Sequence, residues 1–459
     1  MMSELDPAPL KPLTPQEPLE PFIPASNYTS RAHAELENER LWPRVWQMAC
    51  REEEIPKVGD FYTYDIVDDS IIVVRTGPDE VKAFHNVCSH RGRRLTAGCG
   101  HTDRFYCKFH GWQYDLHGRC TKVVDRNDWG NTLTDRDTAL KTVKVGRWAG
   151  WIYINMDPDS ESLEQALGAA KTFLDPFQWQ DLRYHWRKSA IVPCNWKVAI
   201  ESFNEGYHLQ ATHRQMLRYF DDTTESRTYG RHSMFGYWGA LKGGWRSRRL
   251  GGPKKGDDLR AGLVDYMEDM LETLNAAEPI NLVEAARRLM AEVPETASEE
   301  EVFAQFGRFA YEHAIAQGIA YPPITPDQID AAGVDWHIFP NQIILPGVTA
   351  VLAYRGRPNG HDPDSCIWDV MSLRRYPPGQ EPGAKLEWTD DLTDVSFWGK
   401  ILTQDYSNMA EVQRGLKSRA FAGCRTNPVQ ERPVANLHRG IQEFINRDPG
   451  PRTARNGPF

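Results

Sequence analysis

The sequence predicts an α+β protein with two structured domains, and three observations lead to this prediction. The chain has 459 residues, of which 40% are hydrophobic, which is enough for more than one core. Short β-rich segments separated by turns fill the stretch from Gly59 to Trp151. The part that follows mixes strand-like segments with helical patterns, which indicates a second domain of mixed composition.

The predicted domain borders follow these changes of pattern. Residues 1–39 hold a proline-rich arm, extended like a polyproline II helix, and then a helix. Residues 40–157 form a small antiparallel β domain, and residues 158–459 form the larger domain. A helical insertion is expected at about 257–318, where apolar residues recur at helical spacing. This spacing is typical of a packing face; a lid over a substrate channel, or a cover at a subunit contact, is the alternative.

Two short segments each supply one thiol and one imidazole. Cys88-Ser89-His90 is followed, after sixteen intervening residues, by Cys107-Lys108-Phe109-His110. Loops that face each other would offer two Cys and two His, which suit a [2Fe–2S] cluster with both thiolates on one iron and both imidazoles on the other. A zinc site is the competing interpretation, but zinc normally pairs Cys-x-x-Cys with His-x-x-x-His. Two unliganded Cys/His pairs in loops are the remaining alternative.

A second group of residues contains two histidines and a later carboxylate. His208 and His213 end a segment for which we predict a helix over 195–210, with a bend or turn after the first histidine. Asp405 lies in a second predicted helix, at 391–420. Two imidazoles and one carboxylate form the facial triad that holds non-haem Fe(II) and leaves positions open for O₂ and substrate. Each residue alone would more often be a packed or surface side chain, so the prediction depends on their joint occurrence.

In order and spacing, these motifs resemble the catalytic α subunit of Rieske non-haem iron aromatic ring-hydroxylating oxygenases, and the resemblance covers nearly the whole chain. It implies a Rieske [2Fe–2S] domain followed by a helix-grip (START-like) catalytic domain, in which an antiparallel sheet surrounds a long helix. It implies that the cluster is held by Cys88, His90, Cys107 and His110. It also implies that mononuclear non-haem Fe(II) is held by His208, His213 and Asp405.

The resemblance assigns a further role to Glu205, three residues before His208. In the family, an acid at this place bridges a cluster histidine of one subunit to an iron-ligand histidine of its neighbour, which implies a homotrimer or a higher multiple of three. Many ring dioxygenases carry Asp here, so the longer Glu side chain puts a close assignment to the naphthalene or biphenyl enzymes in doubt. Glu201 is the nearest rival and is expected to be a structural helix acid.

Three further predictions concern the surroundings of the iron. Asp362, between His361 and a proline, is expected to lie in a turn between strands rather than to bind metal. Phe203, Leu209 and parts of the segment 336–345 should line an apolar pocket that suits an aromatic substrate. His337, within that segment, is expected to be a strand histidine rather than a third imidazole ligand.

Composition excludes several classes of partner. The net charge of −9 argues against nucleic acid, because binding phosphates requires basic patches. No apolar run reaches the roughly 18–20 residues of a membrane span, and no signal peptide is visible. The chain has 8 cysteines, and those outside the two loops are scattered, which predicts reduced thiols in a cytoplasmic protein. No glycine-rich nucleotide motif occurs, so electrons are expected from a separate ferredoxin or flavin reductase.

Together these features predict a terminal oxygenase that uses O₂ and externally supplied electrons to hydroxylate an apolar, aromatic substrate, as in aromatic hydrocarbon catabolism. Ring dihydroxylation is the expected reaction. Monooxygenation, including O- or N-demethylation, is the alternative, because the same triad serves both. A non-catalytic iron–sulfur electron carrier is the other function class, and an intact set of triad residues argues against it. The sequence leaves open whether a small β subunit is needed.

Overall fold

The computed structural model describes residues 16–238, 240–274 and 279–447, and the chain divides into two compact units. Of the described residues, the small unit comprises Arg31–Ala166, Pro358–His361 and 440–447. The large unit comprises 16–30 and the described residues of Leu167–Arg357 and Asp362–Arg439. We retain residues 40–157 as the proposed extent of the cluster domain, and this range lies within the small unit.

The first described residues form a short strand where the sequence predicts a polyproline arm. Residues 1–15 of that arm lie outside the described residues. Strand β1 (Phe22–Pro24) pairs antiparallel with Gly423–Arg425, and helix α1 (Ser26–Thr29) follows. Proline is tolerated at the end of such a two-stranded pair because it leaves no ladder hydrogen bond unmade in the strand interior.

The small unit consists of short strands with few helical residues, as the β-rich pattern predicts. Its helices are α2 (Arg31–Arg40), α3 (Asp135–Thr138) and α4 (Leu163–Leu167), the last of which ends at the first residue of the large unit. Its strands are β2 (Gln47–Arg51), β3 (Asp60–Ile66), β4 (Asp69–Arg75), β5 (Val81–His85), β6 (Cys99–His101), β7 (Phe105–Tyr106), β8 (Gln113–Tyr114), β9 (Cys120–Lys122), β10 (Thr142–Trp148) and β11 (Trp151–Asn155).

These strands form two antiparallel sheets. The larger sheet has the order β2-β11-β10-β5-β4-β3-β6, and the smaller one has the order β7-β8-β9. One hydrophobic core contains both loop cysteines, since Cys88 and Cys107 are buried together with Phe105, Trp112 and Tyr114. The cysteines of the two loops are therefore anchored inside the small unit, which fixes where the loops begin.

The large unit contains the second, larger sheet and most of the helices. Its helices are α5 (Ala169–Leu174), α6 (Trp196–Glu201), α7 (Leu209–Thr212), α8 (Leu259–Thr273), α9 (Ile280–Glu292), α10 (Glu299–Ala316), α11 (Pro326–Ala332), α12 (Val395–Trp398), α13 (Lys400–Leu416) and α14 (Arg432–Ile445), the last of which continues past Arg439 into the small unit. Its strands are β12 (Arg183–Val192), β13 (Glu225–Tyr229), β14 (His232–Gly236), β15 (Asp335–Ile338), β16 (Gln342–Leu345), β17 (Ala350–Asn359), β18 (Asp362–Arg374), β19 (Leu386–Trp388) and β20 (Gly423–Arg425). The last two residues of β17 belong to the small unit.

Eight of these strands form one sheet in the order β13-β14-β15-β16-β17-β18-β12-β19. Its recorded pairings are antiparallel except the edge pair of β12 and β19, which is parallel. The long helix α13 contacts β12 and α6.

The predicted fold class, an antiparallel Rieske-type domain and a mixed α/β catalytic domain, is confirmed. None of the helices in the described ranges combines the length and apolar character that crossing a membrane requires.

Two helices predicted as continuous are interrupted. The helix predicted over 391–420 breaks at Gly399, whose φ of 84° suits glycine better than other residues. The helix predicted over 195–210 stops after Glu201 and resumes only as α7. Here the carboxylate of Glu205 accepts the backbone N–H groups of Tyr207 and His208, which offers the backbone an alternative to helical hydrogen bonds. A Cβ at Gly206 would also lie 2.8 Å from Thr224 Cγ2.

A buried ion pair fixes the centre of the large sheet. Arg355 Nη2 on β17 and Asp369 Oδ2 on β18 are 2.7 Å apart, and each side chain is 2% exposed. The Ser189 hydroxyl on β12 donates to the other oxygen of Asp369. Burial alone would raise the pKa of Asp369, but the guanidinium groups of Arg355 and Arg357 outweigh burial and hold this pKa far below its usual range.

We expect Arg355→Met to lower the free energy of unfolding of the large unit by about 3–5 kcal/mol, because it leaves the Asp369 carboxylate buried without its main counter-charge. Urea unfolding followed by circular dichroism measures this change. The double variant Arg355→Met/Asp369→Leu should recover part of the loss, since the buried carboxylate is removed with its main counter-charge, while Arg357 and Arg187 still lose a neighbouring negative charge. A single variant as stable as the parent chain would show that the pair contributes little.

Candidate active site and cluster site

The two Cys/His loops of the small unit share one backbone hydrogen-bond pattern. In each loop the cysteine N–H donates to a carbonyl beyond the histidine, Arg93 O in the first loop and Trp112 O in the second. The cysteine carbonyl accepts from the glycine that follows the histidine, Gly92 or Gly111. These glycines have φ values of 73° and 77°, a backbone region that other residues rarely adopt. The glycines therefore allow both loops to turn tightly around their histidines.

The side chains of these loops fit a [2Fe–2S] group. The rings of His90 and His110 lie edge to face, with centroids 4.5 Å apart and planes at 64° to each other. Among the described residues, Nδ1 of each ring is buried without a hydrogen-bond partner. Buried polar atoms are rarely left in this state without a ligand. With the sulfur atoms of Cys88 and Cys107 buried beside them, these nitrogens supply the mixed donor set of a Rieske cluster.

Tyr114 adds a hydrogen bond to one cluster sulfur. Its hydroxyl lies 3.1 Å from Cys88 Sγ, and the Ser89 N–H donates to the hydroxyl oxygen at 3.1 Å. Burial, followed by the neighbouring Cys88, raises the pKa of Tyr114. The hydroxyl therefore keeps its proton and donates it to the sulfur, and hydrogen bonds to cluster sulfurs are a determinant of the reduction potential.

In the large unit the structure brings together His208, His213 and Asp405. One ligand atom of each lies within 4.8 Å of the others. Asp405 Oδ1 is 2.8 Å from His213 Nε2 and 3.6 Å from His208 Nε2. The one-turn helix α7 separates the two histidines, one at each end, while Asp405 comes from α13. The bend that the sequence requires between the histidines is present, and it lets imidazoles five residues apart meet at one carboxylate.

The outer nitrogen of each imidazole is held by a neighbouring side chain. His208 Nδ1 lies 2.6 Å from Glu205 Oε1, and His213 Nδ1 lies 2.9 Å from Gln404 Oε1. Both Nε2 atoms are thereby turned toward Asp405, which is the orientation that metal-binding histidines need. Burial would lower the pKa of His208, but the carboxylates of Glu205 and Asp405 outweigh it and raise this pKa to about 9. The same negative potential favours a divalent cation, so the residues fit a mononuclear iron.

Glu205 and Glu201 have different partners, which separates their roles. Glu205 is 9% exposed and contacts His208 through one carboxylate oxygen. Glu201 instead accepts from the Tyr28 hydroxyl at 3.0 Å and lies 2.7 Å from His438 Nε2, as expected for a structural acid. The contact from Glu205 to His208 is the part of the predicted bridge that lies within one chain. The part that involves a neighbouring subunit stays a prediction.

Asp362 and His337 lie outside the triad. Asp362 is exposed and is the first residue of β18, directly after the turn that follows β17. His337 is a buried residue of β15 whose Nε2 lies 3.0 Å from Pro340 O. Burial lowers the pKa of His337 to about 4, so the ring stays neutral.

A cavity of about 540 Å³ opens onto the triad, and aromatic and aliphatic side chains form most of its wall. The predicted lining residues Phe203 and Leu209 are among them. Of the segment 336–345, however, only Leu345 reaches the cavity. Trp336 packs instead against Phe173 and Tyr229, because side chains on a strand alternate between the two faces of the sheet.

The helical insertion forms its own core and also reaches the cavity. On α8, Leu259 and Leu263 pack in a core with α9 and α10, as expected for a packing face. Tyr266 and Met270 of the same helix line the cavity. A role as a lid over a substrate channel, or as a cover at a subunit contact, stays a prediction. Further cavity residues that the sequence did not identify are Phe220, Phe235, Tyr237, Leu274, Leu282, Phe303, Phe306, Ala310, Tyr321 and Tyr354.

Apart from the two triad histidines, the charged residues of the described cavity lining are acidic. Among its described lining residues there is no Lys or Arg, and the carboxyl groups belong to Glu205, Asp335 and Asp405. Asp335 was not identified from the sequence, although it directly precedes the segment predicted to line the pocket. The sequence feature that could have indicated it is a single acid between two apolar residues, in Val334-Asp335-Trp336.

The site thus defines a chain with a Cys₂His₂ cluster domain and a separate 2-His-1-carboxylate centre. Residues 45–134 match the family described as Rieske [2Fe-2S] domain. Residues 179–447, more than half of the chain, match the family described as Ring hydroxylating alpha subunit (catalytic domain). The protein belongs to this family, the catalytic subunits of Rieske non-haem iron oxygenases. Family membership implies a Rieske cluster and a mononuclear iron as cofactors.

Curated relatives include enzymes of two kinds. The carnitine monooxygenase oxygenase subunit of Escherichia coli (strain K12) is 31% identical over 219 residues, which cover 47% of this chain and 57% of that protein. Biphenyl 2,3-dioxygenase subunit alpha of Rhodococcus jostii (strain RHA1) is 34% identical over 191 residues, which cover 40% and 42%. The chain therefore spans about half the length of the curated relatives it matches.

Solved structures show the same fold over nearly the whole chain. The quaternary ammonium Rieske monooxygenase CntA in complex with L-carnitine matches with a TM-score of 0.60 at 19% identity, covering 93% of this chain and 96% of that one. Naphthalene 1,2-dioxygenase with indole bound in the active site matches with a TM-score of 0.62 at 18% identity, covering 92% of each chain.

We expect Tyr114→Phe to lower the reduction potential of the cluster by about 20–60 mV. The hydrogen bond from Tyr114 stabilises the reduced cluster, which is the more negative form. Its typical net contribution of about 0.5–1.5 kcal/mol corresponds to this shift in potential, because a tenfold change in the equilibrium constant is about 59 mV for one electron. A redox titration followed by visible circular dichroism measures the shift. Tyr106→Phe, which removes an exposed hydroxyl from the same domain, is the control and should leave the potential unchanged. An unchanged potential in Tyr114→Phe would mean that its hydroxyl does not donate to Cys88.

Proposed function

We propose that this chain is the terminal oxygenase component of a Rieske system that oxygenates an apolar, aromatic substrate with O₂ and electrons from a separate ferredoxin or flavin reductase. The observation that carries the proposal is the triad of His208, His213 and Asp405 opening onto a cavity of about 540 Å³. This volume lies within the range of about 300–1,000 Å³ typical of small-molecule sites. A non-catalytic electron carrier would need neither the triad nor the cavity.

The proposal assigns a role to each predicted site residue. Cys88, His90, Cys107 and His110 hold the cluster, and His208, His213 and Asp405 hold the iron. When bound, these centres supply electrons one at a time and a place for O₂ beside the substrate. Glu205 and Gln404 orient the two imidazoles through their Nδ1 atoms. The aromatic walls exclude water from the reacting groups.

The charges of the cavity support a substrate without an anionic group. The charge of a bound iron is offset by the carboxylates of Asp405 and Glu205, and the described lining offers no Lys or Arg to a substrate carboxylate elsewhere in the cavity. Burying an unpaired charge is strongly unfavourable. Carnitine and anthranilate, named in relatives, both carry a carboxylate. We therefore do not transfer these substrates, and we propose a neutral or cationic aromatic compound.

Ring dihydroxylation is the reaction we propose, because a cavity of about 540 Å³ with mostly aromatic and aliphatic walls suits a ring system beside the iron. Monooxygenation, including N- or O-demethylation, is the second candidate. Its specific support is the presence of carnitine, glycine betaine and choline monooxygenases among the relatives, together with Glu rather than Asp at position 205. A location in the cytoplasm and the need for a β subunit stay open predictions.

Product analysis with a surrogate reductase tests the proposed function. We expect naphthalene, biphenyl and methoxy- or N-methyl-aromatic compounds to be oxygenated, and 2-naphthoate and benzoate to be poor substrates. A cis-diol would identify dihydroxylation, whereas formaldehyde with a demethylated product would identify the alternative. Turnover of the carboxylates at rates equal to the neutral compounds would contradict the charge argument.

Variants of the triad test the assigned ligands in the same assay. Asp405→Ala and His208→Ala should abolish product while the visible spectrum of the cluster stays unchanged, since the iron ligands belong to the other unit. Asp362→Ala is the matched control, because Asp362 is exposed and lies outside the triad. Iron content, measured in each variant, should fall only in the triad variants. Full turnover by Asp405→Ala would show that a residue other than Asp405 supplies the carboxylate ligand of the iron.

The proposed assembly is a homotrimer, or a higher multiple of three, in which Glu205 also contacts a cluster histidine of the neighbouring subunit. Glu205→Gln should retain both metals, because the amide oxygen can still accept from His208 Nδ1. It should slow reoxidation of the reduced cluster by O₂ and substrate, which stopped-flow absorbance measures. Sedimentation analysis reports the assembly. A monomer with full coupled activity would contradict both parts of this prediction.

A further inference from the structure

Asp335 is a buried acid of the cavity to which the proposed chemistry assigns no role. It is the first residue of β15, is 3% exposed and lines the cavity. Its Oδ1 is buried and has no hydrogen-bond partner among the described residues. Its backbone is paired with that of Phe235 on β14, so the strand pairing fixes the position of the side chain.

Other buried carboxylates of the large unit are paired by the protein itself. Asp369 is paired with Arg355, Asp221 with Arg248 at 2.7 Å and Asp222 with Arg249 at 2.5 Å. The cavity lacks such a partner for Asp335, because its described lining contains no Lys or Arg. Asp335 therefore differs from these three carboxylates in having no basic partner in the cavity lining.

A buried carboxyl oxygen without a hydrogen-bond partner destabilises the folded protein, so its presence requires a reason. A structural reason would be a hydrogen bond within the protein, and Oδ1 makes none among the described residues. Burial, followed by the charge of Glu205, raises the pKa of Asp335. A carboxyl group that keeps its proton more readily can both donate and accept, which suits a hydroxyl or an amine.

We propose that Asp335 is a specificity-determining residue that hydrogen-bonds a hydroxyl or amine N–H group on an otherwise apolar aromatic substrate. The inference rests on the proposed function and adds to it the polar group that the substrate carries. The iron triad and Asp335 then define two fixed points in the cavity. A substrate held at both is oriented, and this selects the carbon that faces the triad.

Ligand binding to the iron-loaded, oxidised protein tests this proposal without requiring turnover. The probes are 2-naphthol and 2-methylnaphthalene, which differ by a hydroxyl in place of a methyl group, and the readout is calorimetry. We expect 2-naphthol to bind about 10- to 100-fold more tightly, the range for hydrogen bonds to a polar or charged partner. Asp335→Leu should remove this preference by weakening only 2-naphthol. An equal affinity for the two probes in the parent protein would overturn the proposal.

Two controls separate recognition of the substrate hydroxyl by Asp335 from other causes of a lost binding preference. Asp327→Asn removes an exposed carboxylate on α11 outside the cavity lining and should keep the preference. The thermal midpoint of Asp335→Leu should not fall, because an unpaired buried group is removed. A midpoint several degrees lower would show a structural role and would also overturn the proposal. The product analysis tests the proposed function independently of these binding measurements. If the protein oxygenated aromatic compounds but bound 2-naphthol and 2-methylnaphthalene equally well, only the role of Asp335 would be refuted.

A comparison of two cationic ligands distinguishes hydrogen bonding by Asp335 from attraction by charge alone. Protonated 2-naphthylmethylamine carries N–H donors, whereas its N,N,N-trimethyl analogue carries the same charge without them. We expect the primary amine to bind more tightly, and Asp335→Leu to remove the difference between the two. If the trimethyl compound bound equally well, the site would recognise charge within an aromatic cavity, and the hydrogen-bonding proposal would be wrong.

Discussion

The orientation of two imidazole rings is the constraint on which the active site depends. His208 and His213 must both present Nε2 to one carboxylate, and each ring is fixed by a partner at Nδ1. Helix α13 supplies Asp405 and, one residue earlier, Gln404. One helix therefore provides both a triad carboxylate and the acceptor that turns His213 toward it. A small rotation of α13 would disturb two of these contacts at once.

The interruption of the histidine-bearing helix follows from the same constraint. A regular helix through residue 213 would not place imidazoles five residues apart on one face. The carboxylate of Glu205 accepts local N–H groups, and Gly206 approaches Thr224 closely, so the chain leaves the helix before His208. The short helix α7 then spaces the two rings. The same Glu205 holds the His208 ring, so one side chain both breaks the helix and orients a ligand.

Local motifs could be predicted from the sequence, whereas contacts between distant segments could not. The cluster loops depend on residues next to one another, and the backbone pattern shared by Gly92 and Gly111 follows from the loop sequence alone. The contact of His213 with Asp405 joins residues 192 positions apart, and only the family resemblance indicated it. On α8, helical periodicity predicted a packing face, but it could not show that Tyr266 and Met270 turn toward a cavity. Hydrophobic periodicity could not identify Asp335. A single acid beside apolar residues is equally consistent with the solvated end of a strand and with a cavity wall.

The distribution of charge extends this argument from the metal to the substrate. Against the effect of burial, the carboxylates of Glu205 and Asp405 raise the pKa of His208, and they favour a divalent cation whose charge offsets theirs. The described lining contains no Lys or Arg, so a substrate carboxylate held away from the iron would be buried without a counter-charge. Burial, followed by the charge of Glu205, raises the pKa of Asp335 and helps to keep it neutral. Glu205 thus affects the cavity twice, once by holding the His208 ring and once by helping to maintain a hydrogen-bonding carboxyl group on the cavity wall.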